Sequence, residues 1–428
     1  MKKRNPPSGS QQTRRQFLGA TIKTTGLAGA LYAGLPEGWA GAVYAADGPE
    51  KSDLRIGIVA LASCIPIVVA HEKGFFKKYG INSTLSKENG WAAARDKLIS
   101  GENDATLLKY SQGVASNLGA LGAPKIPMVS PWTLTRNGSA FLVSLRVQER
   151  PTKDPRTWVP VVENAKKAGN PITIAVPIPV GFHMMFYRYF LAVAGIHPDQ
   201  DVKFITLPPP QMVQNMRVGA MSACAMVEPW GTRAVQEKVA YIAFYGNDLW
   251  PDHPVNACTF LEKFTERYPK ATLAVLRALY DACRYSDEMG NRNEIANMVS
   301  VTNYLNTPVA SLTPFLFGKY DYGLGKTLND PSHVIRFSKE NCNYPQPKET
   351  TWFITQFRRW GMIEGAPDYK AAAARACRTD IFKEAMKGVG FSDFKQDDSP
   401  ITFFDGKVFN PADPEKYATS FPVNLLKG

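Results

Sequence analysis

The chain has 428 residues, of which 44% are hydrophobic and 21% charged, with 33 glycines and 32 prolines. This composition is typical of a globular protein and excludes low-complexity, fibrous and largely disordered classes. The length predicts two or three lobes around a core that needs no disulfide support. The formal charge is +12, but residues 1–45 hold six basic residues against Glu37 alone, which leaves +7 without a dense basic run. We therefore expect no nucleic-acid partner.

Residues 1–45 are typical of a secretion signal. Arg14 and Arg15 precede an apolar pair, and a Gly/Ala-rich apolar run follows, with small residues that predict cleavage after Ala45. No charge-free apolar run of 18 residues occurs here, which argues against a membrane anchor. The pattern predicts a twin-arginine signal peptide, export of the folded chain and a periplasmic mature protein.

Strand and helix patterns alternate along the first half of the remaining chain. The predicted elements, in chain order, are strand 54–61, helix 65–73, strand 81–85, helix 91–99, strands 105–108 and 172–176, helix 184–194, strand 202–207, helix 211–218 and strand 222–227. This alternation predicts an α/β protein with mainly parallel sheets. From about Thr265 the pattern becomes helical, with helices predicted at 271–289, 292–301, 333–339 and 351–360.

The six cysteines form no C-x-x-C pair and no Cys/His spacing of a zinc module, so we expect no structural metal site. An exported protein could carry one or two disulfides among them, whereas Cys64 and Cys224 lie in apolar segments that favour core positions. The motifs G-x-S-x-G, H-E-x-x-H and G-x-G-x-x-G are absent from the sequence. We therefore expect a protein that is not an enzyme and holds no cofactor.

A proline-rich block lies in the middle of the chain. It runs Leu207-Pro208-Pro209-Pro210-Gln211-Met212 and is followed by Val227-Glu228-Pro229-Trp230-Gly231. Further blocks are Glu72-Lys73-Gly74-Phe75-Phe76, Asp248-Leu249-Trp250-Pro251-Asp252-His253-Pro254, Tyr320-Asp321-Tyr322-Gly323 and Arg359-Trp360-Gly361. In this order, over residues 53–362, they resemble the periplasmic nitrate- and bicarbonate-binding proteins of ABC importers. The tail from about Gly365 is not covered by the resemblance.

The resemblance implies a type II periplasmic binding protein, in which two α/β lobes close on a ligand in the cleft between them. Lobe 1 would comprise residues 53–138 and 245–428, and lobe 2 residues 139–244. The implied function is delivery of a small nitrogenous solute to an ABC permease and its ATPase at the inner membrane. We expect the mature protein to be a monomer.

Matching the family's motifs residue by residue places the ligand site on Trp91, Ser139, His183 and Asn256. Trp91 and His183 keep the family's residue types. Ser139 falls where the family has a glutamine, and Asn256 falls where it has a lysine in the cleft. The family's acidic residue beside the histidine, which helps a cation bridge to bicarbonate in part of the family, is Met184 here, which cannot ligate calcium, so we name no metal ligand.

These departures leave the ligand class open. Without the family's lysine, a desolvated anion would lack its charge partner, unless Lys109 or Arg136 supplies one from another direction. Glu228 and Trp230 would instead favour a small cationic or neutral solute such as guanidine or urea, or would serve only as hinge structure.

Two further function classes remain as alternatives. One is a sensor that reports the ligand to a separate regulator. The other is an enzyme that resembles the thiamin-pyrimidine synthases, which share the two-lobed architecture but carry a cysteine-rich motif that is absent from this sequence.

Overall fold

The computed structural model describes residues 48–329 and 335–427, so the predicted signal peptide lies outside the described part. The strands are β1 Asp53–Val59, β2 Asn82–Glu88, β3 Ala105–Lys109, β4 Met128–Arg136, β5 Ser139–Ser144, β6 Thr173–Val176, β7 Lys203–Thr206, β8 Ala223–Val227, β9 Ala240–Tyr245, β10 Pro254–Leu261, β11 Lys319–Gly323, β12 Lys326–Asn329, β13 Ile401–Thr402 and β14 Val408–Phe409.

The helices follow the same chain order. They are α1 Ile65–Glu72, α2 Phe75–Lys78, α3 Trp91–Ser100, α4 Tyr110–Leu118, α5 Val159–Lys167, α6 Phe182–Val193, α7 Pro209–Val218, α8 Trp230–Gln236, α9 Gly246–Leu249, α10 Glu262–Arg267, α11 Pro269–Asp287, α12 Arg292–Ser300, α13 Val309–Phe317, α14 Pro347–Arg359, α15 Tyr369–Cys377, α16 Thr379–Lys387 and α17 Pro414–Thr419.

Two five-stranded sheets carry the fold. The first has the order β2-β1-β3-β10-β4 and the second the order β7-β6-β8-β5-β9. In the first sheet β10 is antiparallel to both of its neighbours, and in the second sheet β5 is. The other strands of each sheet run in a common direction. The predicted α/β class with mainly parallel sheets is confirmed.

Six of the ten strands in these sheets are buried along their whole length. Every residue of β3, β4, β5, β8, β9 and β10 is buried. Strands that are covered by helices on both faces are typically continuous apolar segments. In the edge strand β2, by contrast, most residues are exposed or half-buried. The two antiparallel strands are the ones by which the chain passes from one sheet to the other. We infer that the two sheets are the cores of the two predicted lobes.

Two short segments connect the sheets. Asn137 and Gly138 join β4 to β5 with positive φ angles of 68° and 77°, a turn that asparagine and glycine tolerate. Residues 246–253 join β9 to β10. The Asn137 backbone N–H donates to the His253 carbonyl at 3.3 Å, so the two connections are bonded to each other.

The helical region from residue 265 matches the prediction at α11, α12 and α14, but a helix at 333–339 is wrong for the described residues 335–339. There the backbone N–H groups of Phe337, Ser338 and Lys339 donate to the Asp287 carboxylate, at distances of 3.1, 2.6 and 2.7 Å. The buried Asp287 carboxylate thus accepts hydrogen bonds from backbone N–H groups that a helix would have paired with its own carbonyls.

The C-terminal tail packs as part of the body. Helices α15 and α16 lie against β4, and α17 lies against α14. Phe403, Phe409 and Phe421 are buried. All six cysteines, as predicted for Cys64 and Cys224, are buried, and all are free thiols. Within the described ranges, no helix has the length and apolar character needed to cross a membrane.

Candidate functional site

A buried lysine lies where β3 meets α4. Lys109 is the last residue of β3, and its side chain is completely buried. Its Nζ lies 4.2 Å from the ring centre of Trp91 and 4.9 Å from that of Phe182. Among the described residues, the amine has no hydrogen-bond partner. Burial lowers the pKa of this amine well below its usual range.

Three helix N-termini meet around this amine. Trp91 is the first residue of α3, Lys109 immediately precedes α4, and His183 is the second residue of α6. The backbone N–H groups of a first helical turn have no partner within the helix and carry partial positive charge. These N–H groups make the region electropositive, which favours a negatively charged ligand, and the Lys109 amine adds a group that can accept a proton.

Strand register places Asn256 beside Lys109, and Ser139 lies on the face of β5 that packs against His183. Asn256 of β10 pairs directly with Lys109 of β3, so their side chains lie on the same face of the sheet. The Asn256 amide donates to the Leu108 carbonyl at 2.9 Å. Ser139 lies two residues before Phe141 on one face of β5, and the Phe141 ring lies 5.9 Å from the His183 ring. Ser139 and Asn256 are both completely buried.

Two buried histidines flank the amine. The pKa of His183 is lowered well below its usual value, mainly by burial and further by the charges of Lys109 and His253. Burial also lowers the pKa of His253 to about 3. Both rings are therefore neutral at pH 7. The His253 Nδ1 lies 3.1 Å from the Trp250 carbonyl, which can only accept, so Nδ1 carries the proton.

Several polar atoms around the amine have no hydrogen-bond partner within the described part of the chain. They are Trp91 Nε1, Lys109 Nζ, Gln112 Oε1, Ser139 Oγ, both ring nitrogens of His183, His253 Nε2 and Asn256 Oδ1. Buried polar groups are normally bonded, so such a cluster points to a ligand. The amine, the indole N–H and one N–H of the neutral His183 ring are donors, which suit a small solute with several acceptor oxygens.

Glu228 and Trp230, the other two predicted site residues, have protein partners. The Glu228 carboxylate accepts hydrogen bonds from the Tyr245 hydroxyl at 2.8 Å and from the Thr232 backbone N–H at 2.9 Å. Burial raises the pKa of this carboxyl. The Trp230 indole N–H donates to the Ala60 carbonyl at 2.7 Å. Both side chains therefore stabilise the folded protein through these hydrogen bonds.

Three hydrogen bonds connect residues of the two sheet regions across the cluster. Besides the bond from Trp230 to Ala60, the Ala62 backbone N–H donates to the Glu228 carbonyl at 2.8 Å. The Ser111 hydroxyl donates to the Val180 carbonyl, also at 2.8 Å. Lys109 and its polar neighbours are all buried, so the cluster is closed from solvent in this structure.

The structure brings together Trp91, Ser139, His183 and Asn256 around two residues that the sequence analysis did not place in the site, Lys109 and His253. Lys109 was considered there only as one of two replacement cations. The other, Arg136, is bonded to the Glu349 carboxylate at 2.5 Å. His253 lies in one of the sequence blocks that carry the family resemblance, whereas no sequence motif marked Lys109 as a site residue.

Metal ions have no evident place here. In the described ranges, no three His, Cys, Asp or Glu side chains group closely enough to hold one.

Comparison with known proteins relates the chain to importers of small anions. Residues 47–300 match the model of the NMT1-like family. The nitrate/nitrite binding protein NrtA of Synechococcus elongatus is 30% identical over 98% of this chain and 100% of its own length. The bicarbonate-binding protein CmpA of a Synechococcus species is 31% identical, over 87% of each chain.

Two further matches involve Synechocystis proteins. The nitrate import ATP-binding protein NrtC is 32% identical over 88% of this chain, which spans only 56% of NrtC. The crystal structure of the periplasmic nitrate-binding protein NrtA has a TM-score of 0.83 at 28% identity, over 88% of this chain and 100% of that one. The chain therefore belongs to the NMT1-like family, together with the nitrate- and bicarbonate-binding proteins of ABC importers.

Proposed function

We propose that this chain is the solute-binding component of an ABC importer and that it binds a small oxyanion of the nitrate, nitrite or bicarbonate class. Its homologues are binding proteins for these anions. The observation that carries the proposal is the buried amine of Lys109, which lies with the Trp91 and His183 donors in a cluster of unbonded polar atoms. An anion in the cluster would give that amine a charge partner, which a neutral or cationic solute would not.

Lys109 takes the place of the lysine that the family resemblance puts at Asn256. The two residues are register partners on adjacent strands, so a cation at either position reaches the same space from the same face of the sheet. An asparagine at 256 therefore does not by itself deprive a bound oxyanion of its charge partner. The alternative of a guanidine-like ligand relied on Glu228, whose carboxylate already accepts two hydrogen bonds from the protein.

The proposed partners are a permease and an ATPase. The relatives named NrtC and CmpC are ATP-binding proteins of nitrate import and bicarbonate transport, and each contains a region similar to this chain. We place the protein in the periplasm, in keeping with the periplasmic NrtA. The twin-arginine pattern at Arg14 and Arg15 supports export of the folded chain.

Isothermal titration calorimetry with nitrate, nitrite, bicarbonate, cyanate, urea and guanidinium tests the ligand class. We expect one anion bound per chain and a loss of affinity of about 30-fold or more in Lys109→Met, because a buried charged hydrogen bond is removed. The same substitution should raise the free energy of unfolding of the ligand-free protein, by about 1–3 kcal/mol, because it removes an unbonded buried polar group. Weak binding by this variant would then not reflect misfolding.

The exchange Lys109→Asn with Asn256→Lys returns the cation from the neighbouring strand and should recover much of the anion affinity. Lys125→Met, at an exposed lysine, is the matched control and should bind like the wild type. Tight binding of guanidinium or urea with no response to any anion would overturn the proposal.

A further inference from the structure

The Lys109 amine lies among groups that do not compensate a positive charge. Two aromatic faces, those of Trp91 and Phe182, approach it and favour a cation. No carboxylate of the described residues pairs with it, and its pKa is lowered by burial alone. The aromatic faces offset only part of the cost of burying a charge without a counterion.

The groups that face the amine come from four elements. His183 from α6 and His253 from the connection before β10 are titratable, and each couples electrostatically to Lys109. Trp91 from α3 and Asn256 from β10 do not ionise. Both histidines have lowered pKa values and are neutral at pH 7, so they supply neither a negative charge nor a competing positive one.

The next nearest charged and titratable groups already have protein partners. Arg136 of β4, which also lowers the pKa of His253, is bonded to the Glu349 carboxylate of α14. Tyr110, next to Lys109 in the chain, donates its hydroxyl proton to the Gln346 carbonyl at 3.2 Å. The arriving anion is therefore the group that can balance a charge on Lys109.

We propose that Lys109 binds its anion together with a proton: the amine is neutral in the closed, ligand-free site and becomes an ammonium when the anion enters. The balance is one neutral amine, one anion and one proton from solvent, giving one ammonium–anion pair with no covalent bond made or broken between heavy atoms. This inference rests on the proposed function and adds that the filled site carries no more net charge than the ligand-free one.

The sign of the pH dependence follows from the two charge states. The anion stabilises the ammonium form and so raises the pKa of Lys109 in the complex above its value in the ligand-free protein. At a pH between these two values, each anion takes up close to one proton, and affinity falls about tenfold for each unit of pH increase. Below this window Lys109 is already charged, and above it the amine stays neutral, so no proton is taken up on either side.

Calorimetry in two buffers of different ionisation enthalpy counts these protons. The probes are nitrate, nitrite and cyanate, because their conjugate acids are fully ionised above pH 6, so that any proton exchange belongs to the protein. Between pH 6.5 and 9 we expect an uptake of about one proton per anion, with an affinity that falls as the pH rises. Lysine ¹⁵Nζ and ¹³Cε shifts, assigned with Lys109→Met, should move from amine to ammonium values when nitrate is added.

Two variants assign the proton to Lys109. Lys109→Arg keeps a permanent charge, so it should bind anions without proton uptake across this range. His183→Gln should keep the uptake, whatever its affinity. Anion binding by the wild type without proton uptake would overturn this inference alone, as would uptake that is lost in His183→Gln. Failure of every anion to bind would overturn the proposed function, and this inference with it.

Discussion

At the scale of single residues, the unpaired polar groups around Lys109 destabilise the ligand-free protein. Lys109 and His183 are completely buried, and their side-chain nitrogens have no partners among the described residues. Each such group costs free energy in the folded state, of the order of 1–3 kcal/mol. The arrangement is expected of a binding site, where the ligand supplies the missing bonds.

The buried histidines predict acid sensitivity. In the folded protein the pKa of His253 is about 3, well below the 6.5 of an exposed imidazole. A lowered folded-state pKa means that the unfolded chain binds the proton first, so the stability is fully present above pH 6.5 and is lost as the pH falls towards 3. The loss is about 1.4 kcal/mol per pH unit for each such histidine.

Urea unfolding of the ligand-free protein at pH 4–7 measures this dependence. His253→Gln should show a shallower decrease of the free energy of unfolding than the wild type, by about one bound proton. His71→Gln, at a partly exposed helical histidine, is the control. Parallel pH curves for the wild type and His253→Gln would contradict the prediction.

At the scale of elements, the start of helix α8 links the two sheet regions. Its first residue, Trp230, donates from the indole N–H to the Ala60 carbonyl that follows β1. The neighbouring Glu228 carbonyl accepts from Ala62. These contacts join the two sheet regions, so a ligand trapped by closure gains affinity from them without touching them.

Trp230→Phe keeps most of the ring and removes this hydrogen bond. We expect anion affinity to fall by about 5- to 30-fold, because closure loses about 1–2 kcal/mol. The change should appear mainly in the dissociation rate, measured by stopped-flow fluorescence. Trp360→Phe is a matched control, since Trp360 is buried and its indole N–H has no described partner. Equal affinities for wild type and Trp230→Phe would exclude a role in closure.

At the scale of the whole molecule, the C-terminal tail joins elements that are distant in the chain. The Phe403 ring lies 5.4 Å from Tyr189 of α6, 5.4 Å from Trp250 in the second connection and 5.1 Å from Trp352 of α14. Tyr189 also donates its hydroxyl to the Asp405 carboxylate at 3.0 Å. The tail thus contacts both sheet regions and the connection between them.

Phe403→Ala should destabilise the protein by about 3–5 kcal/mol, because a buried aromatic ring is lost from a packed cluster. Thermal and urea unfolding measure the change. Val408→Ala in the same tail is the control, since Val408 is 51% exposed and its replacement should stay within about 0.5 kcal/mol. A loss at Phe403 no larger than that of the control would show that the tail is not an integral part of the core.

The sequence by itself determined the α/β class, strands β1 to β3 and β6 to β8, several of the helices, and the family. These properties rest on local signals: apolar periodicity marked β1, β3 and β8, and the ordered blocks around Pro208 and Glu228 carried the resemblance. Local pattern also misled, at 335–339, where the distant Asp287 carboxylate binds the backbone N–H groups.

Only the tertiary structure decided that Lys109 lies in the buried polar cluster, beside Asn256. Lys109 ends one strand and Asn256 lies in another, far along the chain, and their pairing depends on the antiparallel return of β10 into the first sheet. Periodicity reports which face of a strand is buried, but it contains no information on the register between strands that are distant in sequence. The position of Lys109 beside Asn256 is therefore a property of the folded sheet.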